Sequence, residues 1–102
     1  MADRMWSALS DPHRRAMLNV LRRGECAVGD LVSELDMNQP QASKHLMVLR
    51  EAGLVHVRKD AQRRVYALDH RPLSELDQWL SPYRDLWNNS LDRLGTHLEE
   101  NP

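Results

Sequence analysis

The stretch from Asn38 to Gly53, NQPQASKHLMVLREAG, constrains the fold more than any other part of this chain. Asn38 can cap a helix through its side-chain oxygen, and Pro40 falls in the first turn, where its missing N–H has no partner to lose. Gly53 closes the run, as glycine does just past helix ends. Within it, Ala42, Leu46 and Leu49 recur at helical spacing and form one inward stripe. The opposite side carries Gln39, Gln41, Ser43, Lys44 and Met47. Such a helix packs on one side and meets a polar partner on the other.

The flanking segments read as elements that would hold it. Asp11 is a plausible cap and Pro12 a first helical residue for a helix over 11–23, which carries Ala16, Met17, Val20 and Leu21 and ends at Gly24. Met5, Trp6 and Leu9 suggest a short helix before it. Val28, Leu31, Val32 and Leu35 share one face of a helix over 27–35, which Gly29 weakens. After Gly53, Val55 and Val57, then Val65 and Ala67, alternate with polar neighbours as the strands of a hairpin do, with Asp60–Gln62 at its tip. From Pro72 onward Leu73, Leu76, Leu80, Tyr83, Trp87, Leu94 and Leu98 repeat at spacings of three, four or seven. Trp79 and Leu86 add a second stripe, and Ser81-Pro82 predicts a kink or a restart of the helix.

The predicted fold is therefore mainly α with a small β-hairpin: four helices, the hairpin, then a long helix. Two short helices joined by a tight turn at Asp36-Met37, the second opening with small polar residues, form a helix-turn-helix. The major groove of DNA is wide enough for one helix, and amide, hydroxyl and ammonium groups can bond its base edges and phosphates. Charge is distributed accordingly. Residues 38–64 hold six basic groups, Lys44, Arg50, Arg58, Lys59, Arg63 and Arg64, against Glu51 and Asp60. Residues 69–102 hold three basic groups against seven acidic ones. A basic middle beside an acidic tail suits an anionic partner bound at one place.

The run NQPQASKHLMVLREAGLVHVRKDAQRRVYAL resembles the recognition helix and wing of the ArsR/SmtB repressors. The matching residues are Gln39, Ser43, His45, Leu46, Leu49, Ala52-Gly53-Leu54-Val55, Arg63-Arg64 and Tyr66, with Leu9, Asp11, Arg14 and Leu18 matching upstream. The resemblance implies one winged helix-turn-helix domain over 1–102, with the helix-turn-helix at about 27–52, the wing at about 54–68 and a dimerisation helix at about 73–98. It implies a homodimer on an imperfect palindrome of double-stranded DNA. The candidate DNA-contacting set is Asn38, Gln39, Gln41, Ser43, Lys44, His45 and Arg50 on the helix, with Arg58, Lys59, Arg63 and Arg64 on the wing. The candidate dimer interface is Met5, Trp6, Leu73, Leu76, Leu80, Tyr83, Trp87, Leu94 and Leu98.

The metal box of many relatives, Glu-x-Cys-Val-Cys-Asp-Leu, reads Glu25-Cys26-Ala27-Val28-Gly29-Asp30-Leu31 here, so both thiolate positions are lost. A soft-metal site needs several converging thiolates or imidazoles. His97 and Glu100 match the end of a second family site, but the partner positions are Arg84 and Leu86. No metal and no cofactor is expected, and any effector would be a small molecule of unknown identity. No phosphate loop, nucleophile elbow or paired-carboxylate setting points to an enzyme. The N-terminus has no apolar secretory core and no membrane span is evident, so a cytoplasmic protein is expected. Two other readings are a winged-helix interaction module without DNA binding, and a regulator switched by oxidation of Cys26.

Overall fold

The computed structural model describes the backbone of residues 3–100 and the side chains of residues 3–95. Its elements run α1 (Asp3–Leu9), α2 (Pro12–Arg23), β1 (Cys26–Ala27), α3 (Val28–Leu35), α4 (Gln39–Glu51), β2 (Val55–Asp60), β3 (Arg63–Leu68) and α5 (Arg71–Glu100). The order matches the sequence reading except for β1. That two-residue strand pairs antiparallel with β3, Cys26 opposite Tyr66 and Ala27 opposite Val65, and makes the hairpin a three-stranded sheet in the order β1-β3-β2. Two residues are too few to show a period of two, so alternation gives no sign of it.

Local chemistry sets the helix ends. The Asp11 carboxylate accepts from the N–H groups of His13 at 2.8 Å and Arg14 at 3.2 Å, and Pro12 opens α2. Asn38 accepts from the Gln41 N–H at 2.9 Å to start α4. That helix closes with the Gly53 N–H on the Arg50 carbonyl and the Leu54 N–H on the Leu49 carbonyl. Gly53 sits at φ 77°, the left-handed cap that glycine adopts without Cβ strain. α3 ends in the same way, but its left-handed residue is Asp36 at φ 52°. Gly29 lies in the first turn of α3, where helix propensity matters little, which explains why that helix forms despite it.

Packing follows the predicted stripes. Ala42, Leu46 and Leu49 of α4 are at most 1% exposed and meet Met17, Leu18, Val20 and Leu21 of α2, Leu31 of α3, and Leu54, Val55 and Tyr66 beside the sheet. Leu18 joins this core in place of Ala16, which is half-buried. Two arginines fasten α1 to the rest. Arg14 donates to the carbonyls of Ala8 and Ser7 at 2.8 and 2.9 Å, and Arg15 to that of Leu9 at 2.7 Å, so the last carbonyls of α1 are satisfied by side chains of α2.

Two expectations are corrected. Met5, expected at a dimer interface, is 2% exposed inside its own subunit, where the short α1 buries it. α5 does not restart at Ser81-Pro82 but runs without interruption with Pro82 inside it. Proline removes one backbone donor there, and an Arg84–Asp77 ion pair spans the site by joining the turns on either side.

α5 is about 45 Å long at 1.5 Å per residue, comparable with the 62 Å long axis of the molecule. Leu73 and Leu76, also expected at the dimer interface, pack on the core of their own subunit, while every side chain from Asp85 to Gly95 is exposed. Trp79, Tyr83, Leu86, Trp87, Leu91 and Leu94 fall in one band of the helix and are 47–63% exposed. Trp6 of α1 extends the band, edge-on to Trp79 at 5.7 Å, and Trp79 lies 4.8 Å from Tyr83. The opposite side of α5 carries the exposed Asp77, Asp85 and Asp92. Leu98 of the expected interface lies outside the described side chains, as do His97 and Glu100.

Candidate nucleic-acid interface

With Ala42, Leu46 and Leu49 turned inward, helical geometry directs Ser43, Lys44 and Met47 outward, and all three are exposed. Gln39, Gln41 and Arg50 are exposed at the margins of that row, and Asn38 is exposed at its head. The α4 N-terminus opens on the same surface, with the Gln41 N–H already taken by Asn38 and none on Pro40.

The hairpin stands beside this row. β2 and β3 are in register from Val55 opposite Leu68 to Asp60 opposite Arg63, leaving Ala61 and Gln62 as a two-residue tip. Ala61 takes φ 57° there, a conformation glycine usually supplies. Arg64 shares a face of β3 with Tyr66, and both line a depression with Gln39, Ser43 and Met47 of α4. Arg64 is a shared wall of three depressions. One of about 660 Å³ is lined also by Gly29, Asp30, Gln39 and Arg63, and one of about 340 Å³ by Gln39, Ser43, Met47 and Arg50. The third, of about 270 Å³, lies between Arg50, Arg58 and Lys59. The guanidinium of Arg64 thus stands where helix and wing converge.

The basic groups are not equivalent. Arg58 grips the Glu25 carboxylate with two nitrogens, and Arg63 reaches Asp30 at 3.4 Å. The Arg58 hydrogen bond holds the Glu25 carboxyl below its usual range, against partial desolvation, and raises Arg58 in turn. Lys44, Arg50, Lys59 and Arg64 have no carboxylate partner among the described residues. Four free cations therefore flank the groove, and two tethered ones brace the wing against β1 and α3. The sequence named all six but not the tethers, because Glu25 and Asp30 lie 33 residues from their partners and are brought there by β1 pairing.

His45 departs from the row. It is half-buried and faces α2, its ring stacked on His13 at 5.6 Å and its Nδ1 3.4 Å from Arg14 Nη1. Arg14, absent from the predicted set, links α1, α2 and α4 at this point. Cys26 is half-buried on β1. Burial pushes its thiol up, the Asp30 and Glu34 carboxylates add to this, and Arg23 opposes it. A thiol so disposed is a poor nucleophile at neutral pH. Among the described residues no three His, Cys, Asp or Glu side chains converge as metal ligands, and no helix is long and apolar enough to cross a membrane.

Residues 11–57 match the family model described as bacterial regulatory protein, arsR family. The chain is 46% identical over 74 residues to an HTH-type transcriptional regulator of Mycobacterium tuberculosis, covering 72% of this chain and 69% of that one. The chain belongs to the ArsR family. The transcriptional repressor SdpR of Bacillus subtilis is 28% identical over 87 residues, covering 85% of this chain and 97% of the repressor. Among solved structures, one described as an ArsR family transcriptional regulator aligns with a TM-score of 0.74 at 32% identity, over 84% of this chain and 94% of its own. A Mycobacterium bovis domain described as a homodimeric winged helix-turn-helix DNA-binding domain aligns with a TM-score of 0.67 at 29% identity, over 80% and 76% of the two chains. This ArsR-family chain is thus a winged helix-turn-helix transcriptional regulator.

Proposed function

We propose that this ArsR-family regulator is a cytoplasmic homodimeric repressor or autoregulator of an imperfect palindromic operator. In this reading α4 of each subunit enters one major groove, and the wings lie over the flanking backbone or minor groove. The observation that carries it is the division of α4: three apolar side chains fully inside, and an outward row of polar and apolar side chains beside four cations without carboxylate partners among the described residues. Gln39 and Gln41 are placed to bond adenine edges, Ser43 a base or phosphate, and Lys44 guanine or phosphate. Arg64, Arg50 and Lys59 neutralise phosphates, while Arg58 and Arg63 contribute less because each is shared with a carboxylate.

Dimerisation has its own support. Soluble monomers rarely leave a contiguous apolar band of this extent in water. The band on α5 and Trp6 covers itself if two copies meet along it. The M. bovis neighbour is described as a homodimeric domain and SdpR as a repressor, which supports the same assembly and sign for this chain.

A gel-shift titration with the DNA upstream of the gene tests the reading. Sequence-preferring, salt-sensitive binding at submicromolar protein is expected. Lys44→Ala and Arg64→Ala each weaken it, and a lost phosphate contact lowers the salt slope by about one. Equal affinity for operator and random duplex overturns the assignment.

A further inference from the structure

Met47 is 62% exposed on a helix that buries its neighbours Leu46 and Leu49 almost completely. Among the described residues, the other large apolar side chains with such exposure lie in the α1–α5 band, away from this helix. Met47 stands one turn beyond Ser43 and Lys44, and it lines the 340 Å³ groove with Gln39, Ser43, Arg50 and Arg64. Neither the core nor the band accounts for it. Its neighbours in the row bond polar edges, which a thioether cannot do to any useful degree.

The major groove offers one apolar feature, the C5-methyl group of thymine. An unbranched, polarisable thioether can settle against that methyl without demanding a fixed geometry. Resting on the operator-binding reading above, we infer that Met47 is a specificity-determining residue that selects thymine in each half-site by packing on its C5-methyl. Cytosine lacks this methyl and is discriminated against at the same position, whereas 5-methylcytosine satisfies the contact.

The test uses the full chain and a duplex enriched from random sequence by rounds of binding. Each thymine is replaced singly by deoxyuridine, which keeps the pairing edge and removes only the methyl. Removing one buried methyl is expected to weaken the wild type about fourfold at one or two positions per half-site. Met47→Ala should start weaker on the thymine duplex and be indifferent to the methyl at those positions. Met47→Gln, of similar length but polar, should behave like Met47→Ala, and both should melt with the wild type because the side chain is exposed. Indifference of the wild type to every deoxyuridine, or an equal loss in wild type and Met47→Ala, overturns the role of Met47 while operator binding stands. If no sequence is enriched, the operator-binding reading falls and this inference with it.

Discussion

Single residues carry strain and charge that can be removed one at a time. Asp36 ends α3 at φ 52°, where a Cβ is unwelcome, and its carboxylate sits at the negative end of the helix. Asp36→Gly should relieve both and stabilise the fold by about 1 kcal/mol, net of the greater freedom glycine has when unfolded. A thermal melt should shift up by a few degrees; no shift or a fall would contradict the strain. Asp11 makes a different case. Partial desolvation works against its ionisation, yet the N–H groups of Arg14 and His13 hold its carboxyl below the usual value of 3.8. A carboxyl depressed in the folded state adds stability that is complete above its unfolded value and lost as pH falls through the folded one. The advantage of wild type over Asp11→Asn should therefore be constant near neutrality and shrink below about pH 4, as followed by melts across pH. Asp11 as a cap was legible in the sequence, since Asp-Pro before an apolar period is a start signal. Asp36 as a strained stop was not, because glycine is the usual signal and aspartate takes the left-handed region only occasionally.

At the scale of elements, the wing is braced rather than loose. β1 brings Glu25 and Asp30 against Arg58 and Arg63, so two of the wing's cations are spent on holding its position. Asp30→Asn should release Arg63 towards the duplex and remove an anion from the groove wall. The expected result is operator affinity raised by up to about fivefold in low salt, with a salt slope steeper by about one. An unchanged slope in a filter-binding or anisotropy series would show that Arg63 never reaches phosphate. Helices α2, α4 and α5 and both strands of the hairpin could be read from period, caps and glycine, because each is long enough for its pattern to repeat. β1 could not, being two residues long and paired with a strand that lies nearly 40 positions away. Of the kink or restart expected at Pro82, the restart failed for a related reason: proline predicts the loss of one hydrogen bond, while the continuity of α5 depends on its whole length. The outward row of α4 was legible because burial of one stripe fixes the rest. That His45 lies on the inner side followed from the same stripe, but its partners Arg14 and His13, more than 30 positions earlier, could not be read.

For the molecule as a whole, the stretch of α5 from Asp85 to Gly95 is exposed throughout in its own subunit. An isolated helix of that length is marginal in water, so its order and its pairing are one event. Trp87→Glu places a charge in the middle of the band and should yield a monomer by sedimentation, with lower helical content. Operator affinity should fall by at least two orders of magnitude because two half-sites no longer bind as one. A dimer that survives this substitution would move the interface elsewhere.

The aspartates along the back of α5 act before any contact forms. With six of its basic groups in residues 38–64 and seven acidic ones in residues 69–102, the chain meets the field of the duplex unevenly, the helix-and-wing side being the attracted one. A molecule approaching back-first is repelled and rotated rather than retained, so the carboxylates sort encounters by orientation while the fold's near-neutral total keeps indiscriminate adhesion to nucleic acid low.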